Sequence, residues 1–144
     1  MNITKINIKK ILNELAEQYN VRLHFTLSSP DCGYARYWNN SITVSCRQSA
    51  SDMLSTFFHE IGHIYCWDNS LWVSYHTQKE IENLTKQERL KYIRTALKAE
   101  RWVDKWAKKE MKKHFPNIKY NPGYSDKNDG ENFTNGIKKM LGYE

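Results

Sequence analysis

Ile8, Ile11, Leu12, Leu15 and Tyr19 recur at intervals of three and four, which predicts an amphipathic first helix over roughly residues 4–19. Val21-Arg22-Leu23-His24-Phe25-Thr26-Leu27 then alternates apolar and polar positions, the period of a strand, and Ser28-Ser29-Pro30-Asp31 breaks it. Residues 34–38 and 41–45 flank Asn39-Asn40 and predict a hairpin, because Asn tolerates the left-handed backbone of a tight turn. Ser49 or Ser51 can cap the next helix, about 51–67, where Leu54, Phe57, Phe58, Ile61, Ile64 and Tyr65 form a broad apolar stripe. Residues 68–84 are less regular. Thr85 followed by Glu88 has the form of a capping box and opens a long helix, about 86–114, that stops before Pro116. Residues 116–130, rich in Pro, Gly, Asn and Asp, predict a loop, and 131–141 a short last helix. Helix, small antiparallel sheet, then helices is the order of an α+β fold, here expected as a single domain over residues 1–144.

Composition narrows this little. A chain of 144 residues can bury one core without a disulfide framework, and five Trp, nine Tyr and five Phe argue against disorder. The N-terminal residues lack the apolar stretch and small-residue cleavage site of a signal peptide, and no run of about 18 apolar residues is long enough to cross a membrane. Cys32, Cys46 and Cys66 are an odd set without C-x-x-C spacing, so the expectation is free thiols in a reducing cytoplasm. The formal charge is +6, part of it in Lys105, Lys108, Lys109, Lys112 and Lys113. At helical spacing these lysines read as a solvated face in preference to a nucleic-acid site, since no arginine–aromatic interleaving accompanies them.

Residues 59–63 carry the chemistry: His-Glu-Ile-Gly-His. On a helix, positions i and i+4 share a face, so His59 and His63 can converge on one cation. A catalytic zinc site needs three protein donors and an open position for water, and in this motif the acid after the first histidine accepts the proton of that water. Glu60 is therefore the candidate general base. Gly62, inside the helix, costs about 1 kcal/mol against Ala, and close approach of another segment would explain it. The third donor is sought among Cys66, Asp68, His76 and Glu100. Cys66 lies further along the same straight helix and reaches poorly. Glu100 is preferred, because Asp104 follows it by four residues on the same helical face among Leu97, Trp102, Val103, Trp106 and Ala107. One carboxylate can then bind metal while the other receives the ring N–H of a ligating histidine.

His-Glu-Ile-Gly-His followed downstream by Glu100-Arg101-Trp102-Val103-Asp104 resembles the gluzincin metallopeptidases, and within them the compact ImmA/IrrE-like domains, in which a short hairpin precedes the active helix. The resemblance covers roughly residues 34–110. It implies zinc held by His59, His63 and Glu100, Glu60 as base, and Asp104 behind a histidine. A second resemblance, to SprT-like proteases, pairs this motif with a positively charged, nucleic-acid-associated body and takes a later histidine as ligand. His76 is the position that would serve. No Cys-rich zinc ribbon accompanies it, and the Glu100/Asp104 helix would be left without a role.

Oxyanion stabilisation is expected near the metal, with Tyr75, His76, Tyr120 and Tyr124 in irregular segments as candidates. Strand 41–45 could offer an edge to an extended peptide. His24 and His114 read as structural. The leading expectation is a cytoplasmic zinc endopeptidase acting on a protein or peptide. The alternatives are a catalytically inactive binding protein on the same scaffold and a nucleic-acid-associated protein using the lysine-rich helix.

Overall fold

Helix α1 spans Ile8–Gln18, and its Ile8, Leu12, Leu15 and Ala16 all face the core. It begins later than the periodicity suggests, because residues 4–7 form a turn in which the Thr4 N–H donates to Asn7 Oδ1 at 2.6 Å. The chain reverses at Asn20, which takes a left-handed φ of 55°. The computed structural model describes residues 2–27, 32–36, 38–68 and 83–121, without the side chains of 66–68, 93 and 96. The predicted last helix, 131–141, and the larger part of the 116–130 loop lie outside these residues.

Strands β1 (Arg22–Thr26), β2 (Gly33–Arg36) and β3 (Ser41–Ser45) form one sheet in the order β1-β3-β2. The hairpin of β2 and β3 is antiparallel as the sequence predicts, and Asn40 supplies the positive φ of 55° at its turn. The sheet as a whole is not antiparallel, however. β1 runs parallel to β3, with Arg22 opposite Ser41 and Thr26 opposite Ser45. At the end of β3 the Ser45 N–H donates to Cys32 O at 2.8 Å and the Cys46 N–H to Thr26 O at 2.9 Å. β2 lies on the side of β3 away from β1. Strand 41–45 is consequently the buried centre of the sheet and offers no free edge; the edge strands are β1 and β2. Ile42 and Val44 join the core with α1 and with α2 (Ala50–Asp68).

Ser49 is the cap of α2: its Oγ accepts the Asp52 N–H at 3.2 Å. Met53, Leu54, Phe57, Phe58, Ile61 and Ile64 are buried along the helix. Helix α3 (Lys86–His114) starts at Thr85, whose Oγ1 accepts the Glu88 N–H at 3.2 Å, and presents Ala99, Val103, Ala107 and Met111 inward. Near its other end Tyr19 reaches across from α1, donating to Glu110 Oε1 at 2.8 Å and lying 2.9 Å from His114 Nε2. Burial and the Glu110 carboxylate raise the Tyr19 phenol well above its ordinary value, so it stays a donor. Beyond α3 the chain folds back over α2, where the Asn121 N–H donates to Ser55 Oγ at 2.9 Å.

The helices α2 and α3 touch at Gly62. A methyl there would sit 2.8 Å from Val103 Cγ1 and 3.3 Å from both Trp106 Cε3 and the Val103 carbonyl oxygen. The missing side chain thus admits the second helix, which answers the propensity cost noted from the sequence. Gly62→Ala should lower stability by about 1 kcal/mol in urea unfolding: the overpacking term, about 1–3 kcal/mol, exceeds the gain in helix propensity of about 1 kcal/mol. Unchanged or increased stability would mean that the two helices are free to separate.

Candidate metal centre

His59 and His63 lie one turn apart on α2, and their Nε2 atoms are 3.1 Å from each other. Glu100 projects from α3 between them, with Oε2 3.2 Å from His59 Nε2 and Oε1 3.1 Å from His63 Nε2. The donor atoms of the three residues all lie within 4.8 Å of one another, so the group could hold a metal ion; it is the one such group among the described residues. His59 is 1% exposed, and Glu100 and His63 keep only part of their surface in solvent. That residual exposure is what an exchangeable position at a metal requires.

The other side of His59 is held from behind. Its Nδ1 is 3.0 Å from Asp104 Oδ1 and 3.0 Å from the Tyr120 hydroxyl, which itself donates to Asp104 Oδ1 at 2.7 Å. An Nδ1–H donated to the Asp104 carboxylate fixes the tautomer and turns the Nε2 lone pair toward His63 and Glu100. Burial, and then the Asp104 charge, raise the Tyr120 phenol far above its ordinary value, so it remains a neutral donor. Asp104 is four residues from Glu100, which is why one helical face carries both the donor and the support.

Glu60 follows His59 and is buried. Strand β2 passes beside it: a methyl at Gly33 would meet Thr43 O at 2.5 Å and Thr56 Cγ2 at 2.7 Å, and would lie 3.6 Å from Glu60 Cγ. Only glycine lets the strand come this close to α2 at the level of the acid.

Burial alone would depress the His63 pKa, but Glu100's charge and hydrogen bond, with Glu60 and Asp104 behind them, outweigh it and raise the ring to about 9. For Glu100 the burial effect, which raises the carboxyl, is overcome by the charge and hydrogen bond of His63 and then by the proximity of His59, so its pKa falls below the ordinary value. A cation bound among these donors displaces the proton from His63.

The structure brings together five of the residues singled out from the sequence: His59, Glu60, His63, Glu100 and Asp104. His76, Tyr75 and Tyr124, and the side chains of Cys66 and Asp68, lie outside the described residues. Tyr120 was a candidate for the oxyanion side and stands instead behind His59, on the Nδ1 face. Gly33 was not singled out; a glycine opening a strand is the one signal that could have drawn attention to it. No protein-family profile, curated protein or solved structure matches the chain.

Two outcomes follow from this electrostatic arrangement. In chelator-treated protein the raised His63 contributes stability that is complete below its ordinary value of 6.5 and lost as pH climbs through about 9. The lowered Glu100 contributes stability present above its ordinary value of 4.5 and lost as pH falls through its depressed one. Thermal melts of the stripped protein should therefore fall between pH 6.5 and about 9, and His63→Ala should abolish that fall; a flat profile in the wild type contradicts the ion pair. Asp104→Asn should weaken metal binding by about 10–100-fold in a chelator competition, with Tyr120→Phe costing less because the Nδ1–Asp104 contact survives. Equal affinity in wild type and Asp104→Asn would remove the supporting role.

Proposed function

We propose that this chain is a zinc-dependent endopeptidase, hydrolysing a peptide bond of a protein or peptide substrate with water activated beside Glu60. The observation that carries the reading is the meeting of His59, His63 and Glu100 donors at 3.1–3.2 Å from one another, with Glu60 next to the first of them. Tetrahedral zinc with bonds of about 2.0–2.1 Å separates its ligand atoms by about 3.3 Å, and two imidazoles with one carboxylate are a donor set that suits it. The resemblance of the two motifs to gluzincin metallopeptidases points the same way.

When bound, zinc supplies Lewis acidity toward a carbonyl oxygen and toward water. The remaining steps belong to the protein. Glu60 accepts the proton of the attacking water and returns it to the amine that leaves. Asp104 and Tyr120 hold His59 in one tautomer, so the Nε2 donor does not have to reorganise during the reaction. β2 runs past Glu60 at Gly33, and its outer side is unpaired with any strand among the described residues. An extended peptide laid along that side would bring a backbone carbonyl to the acid. A cytoplasmic setting is part of the proposal; Cys32 and Cys46 are not joined in a disulfide, and no helix among the described residues is long and apolar enough to cross a membrane.

The test uses purified protein with one equivalent of zinc and a denatured-protein peptide library, with cleavage read by mass spectrometry. Glu60→Gln should keep its zinc and lose cleavage by about 10²–10⁴-fold, the range of a general base. Cleavage that persists in Glu60→Gln, or a zinc-loaded wild type that cuts nothing in the library, rejects the hydrolase in favour of an inactive binding scaffold.

A further inference from the structure

The outer face of α3 carries a single file of cations: Lys91, Arg94, Lys98, Arg101, Lys105, Lys108 and Lys112. The intervals are three, four, three, four, three, four. All seven are exposed. At 3.6 residues per turn they fall roughly opposite the inward row of Ala99, Val103, Ala107 and Met111, and extend over about 31 Å at 1.5 Å per residue. The four acids of the helix have partners outside the file: Glu88 with Thr85, Glu100 with His59 and His63, Asp104 with His59, and Glu110 with Tyr19 and Lys113. Among the described residues none of the seven takes part in an ion pair; one exposed pair on the helix, Lys113 with Glu110 at 3.2 Å, lies outside the file.

Like charges at i,i+3 and i,i+4 oppose helix formation by a few tenths of a kcal/mol each. Seven in line with no ion-pair partner among the described residues therefore favour negative charge from outside. The arginines at 94 and 101 lie within the file, beyond the lysine cluster that the sequence alone brings to notice.

We propose that the outer face of α3 binds the phosphate backbone of double-stranded nucleic acid without reading its sequence. A protein partner would need apolar or aromatic anchors at the centre of the contact, and the file has none. A single strand would need exposed rings on which to stack its bases. The tryptophans of this helix are partly buried, and Trp106 stacks on Tyr65 with ring centroids 4.9 Å apart. What is left is charge alone, regularly spaced and straight, which matches a stiff rod bearing one negative charge per about 1.7 Å. Glu100 and Asp104 project from a different face, so nucleic acid on the outer side would leave the metal centre open. This inference does not depend on the peptidase reading.

The experiment is fluorescence anisotropy of a 30-base-pair duplex of arbitrary sequence with the full chain, over a series of salt concentrations. Wild type should bind with a Kd of about 10⁻⁴–10⁻⁶ M near physiological salt, and log K should fall linearly with log salt. The variant R94Q/K98Q/K105Q/K108Q should lower that slope by three to four units, about 0.9 for each phosphate no longer neutralised, with circular dichroism unchanged because Gln is a good helix former. A control with the same change of charge elsewhere, K10Q/R22Q/R47Q/K119Q, should keep the slope within about one unit of wild type. Three results overturn the proposal: no binding by wild type at low salt, an equal fall in the control, or a poly-glutamate peptide that competes as well as duplex of equal charge. The last would assign the face to an acidic protein partner.

Discussion

The approach of α2 to α3 at Gly62 is the constraint on which the rest of the site depends. His59 and His63 stand on either side of this glycine in sequence, and Val103, which fills the space above it, lies one turn from Glu100. A carboxylate has a short reach. Were the helices held apart by even one methyl group, the Glu100 oxygens could not stay 3.1–3.2 Å from both imidazoles. The local helix penalty at Gly62 is thus tied directly to the meeting of three donors from two separate elements. Because α3 is 29 residues long, contact at one point would leave it free to pivot. Tyr19 limits that pivot by tying α1 to Glu110 and His114 near the far end.

Around this contact the protein gathers groups that a core otherwise rejects. Glu60 is buried, Glu100 nearly so, and Asp104 accepts hydrogen bonds from both His59 Nδ1 and the Tyr120 hydroxyl. Three carboxylates in so small a volume repel one another and are costly to remove from water. The raised His63 is the physical signature of that excess: one imidazole must hold a proton tightly where no stronger cation is bound. An apolar filling would give a more stable protein, so the arrangement violates the local rules of packing at a place where the rules of metal coordination are met. The violation is confined. Phe57, Phe58, Ile61 and Ile64 on the same helix make ordinary contacts with α1, the sheet and α3.

The parts of this design that were legible in the sequence are those that depend on helical periodicity. His59 with His63, and Glu100 with Asp104, each repeat at four residues, so their faces could be read without knowing the fold; so could the cost at Gly62. The hairpin was legible for a similar reason, since Asn39-Asn40 encodes its turn locally. Three features were not. The alternation in β1 fixes which residues face which side but carries no information about the neighbouring strand, so the parallel pairing with β3 was missed. Tyr120 lies in an irregular segment without a period, and its role behind His59 exists only because the chain folds back over α2. Gly33 is defined by what it avoids, the Thr43 carbonyl and Thr56, and both contacts are set by tertiary packing.

α3 can be read as three faces with separate physical tasks. The inner row is small and apolar, and it sets the distance to α2. A short way round from it, Glu100 and Asp104 reach into the site. Opposite the inner row, the cations stand in water. Charges of opposite sign on one helix would ordinarily find each other across the i,i+3 and i,i+4 spacings, and Glu100 has Lys98 and Arg101 close in sequence. At two and one residues from Glu100 they lie on other faces of the helix and do not pair with it; the acid is committed instead to His59 and His63. Exposed cations are screened over about 8–10 Å at physiological salt, whereas the enclosed carboxylates feel their imidazole partners at contact distance. The same burial that raises the cost of the acidic face therefore isolates it from the cationic one. A single rod can then hold a metal centre along one side and an open positive surface along another, with neither determining the charge state of the other.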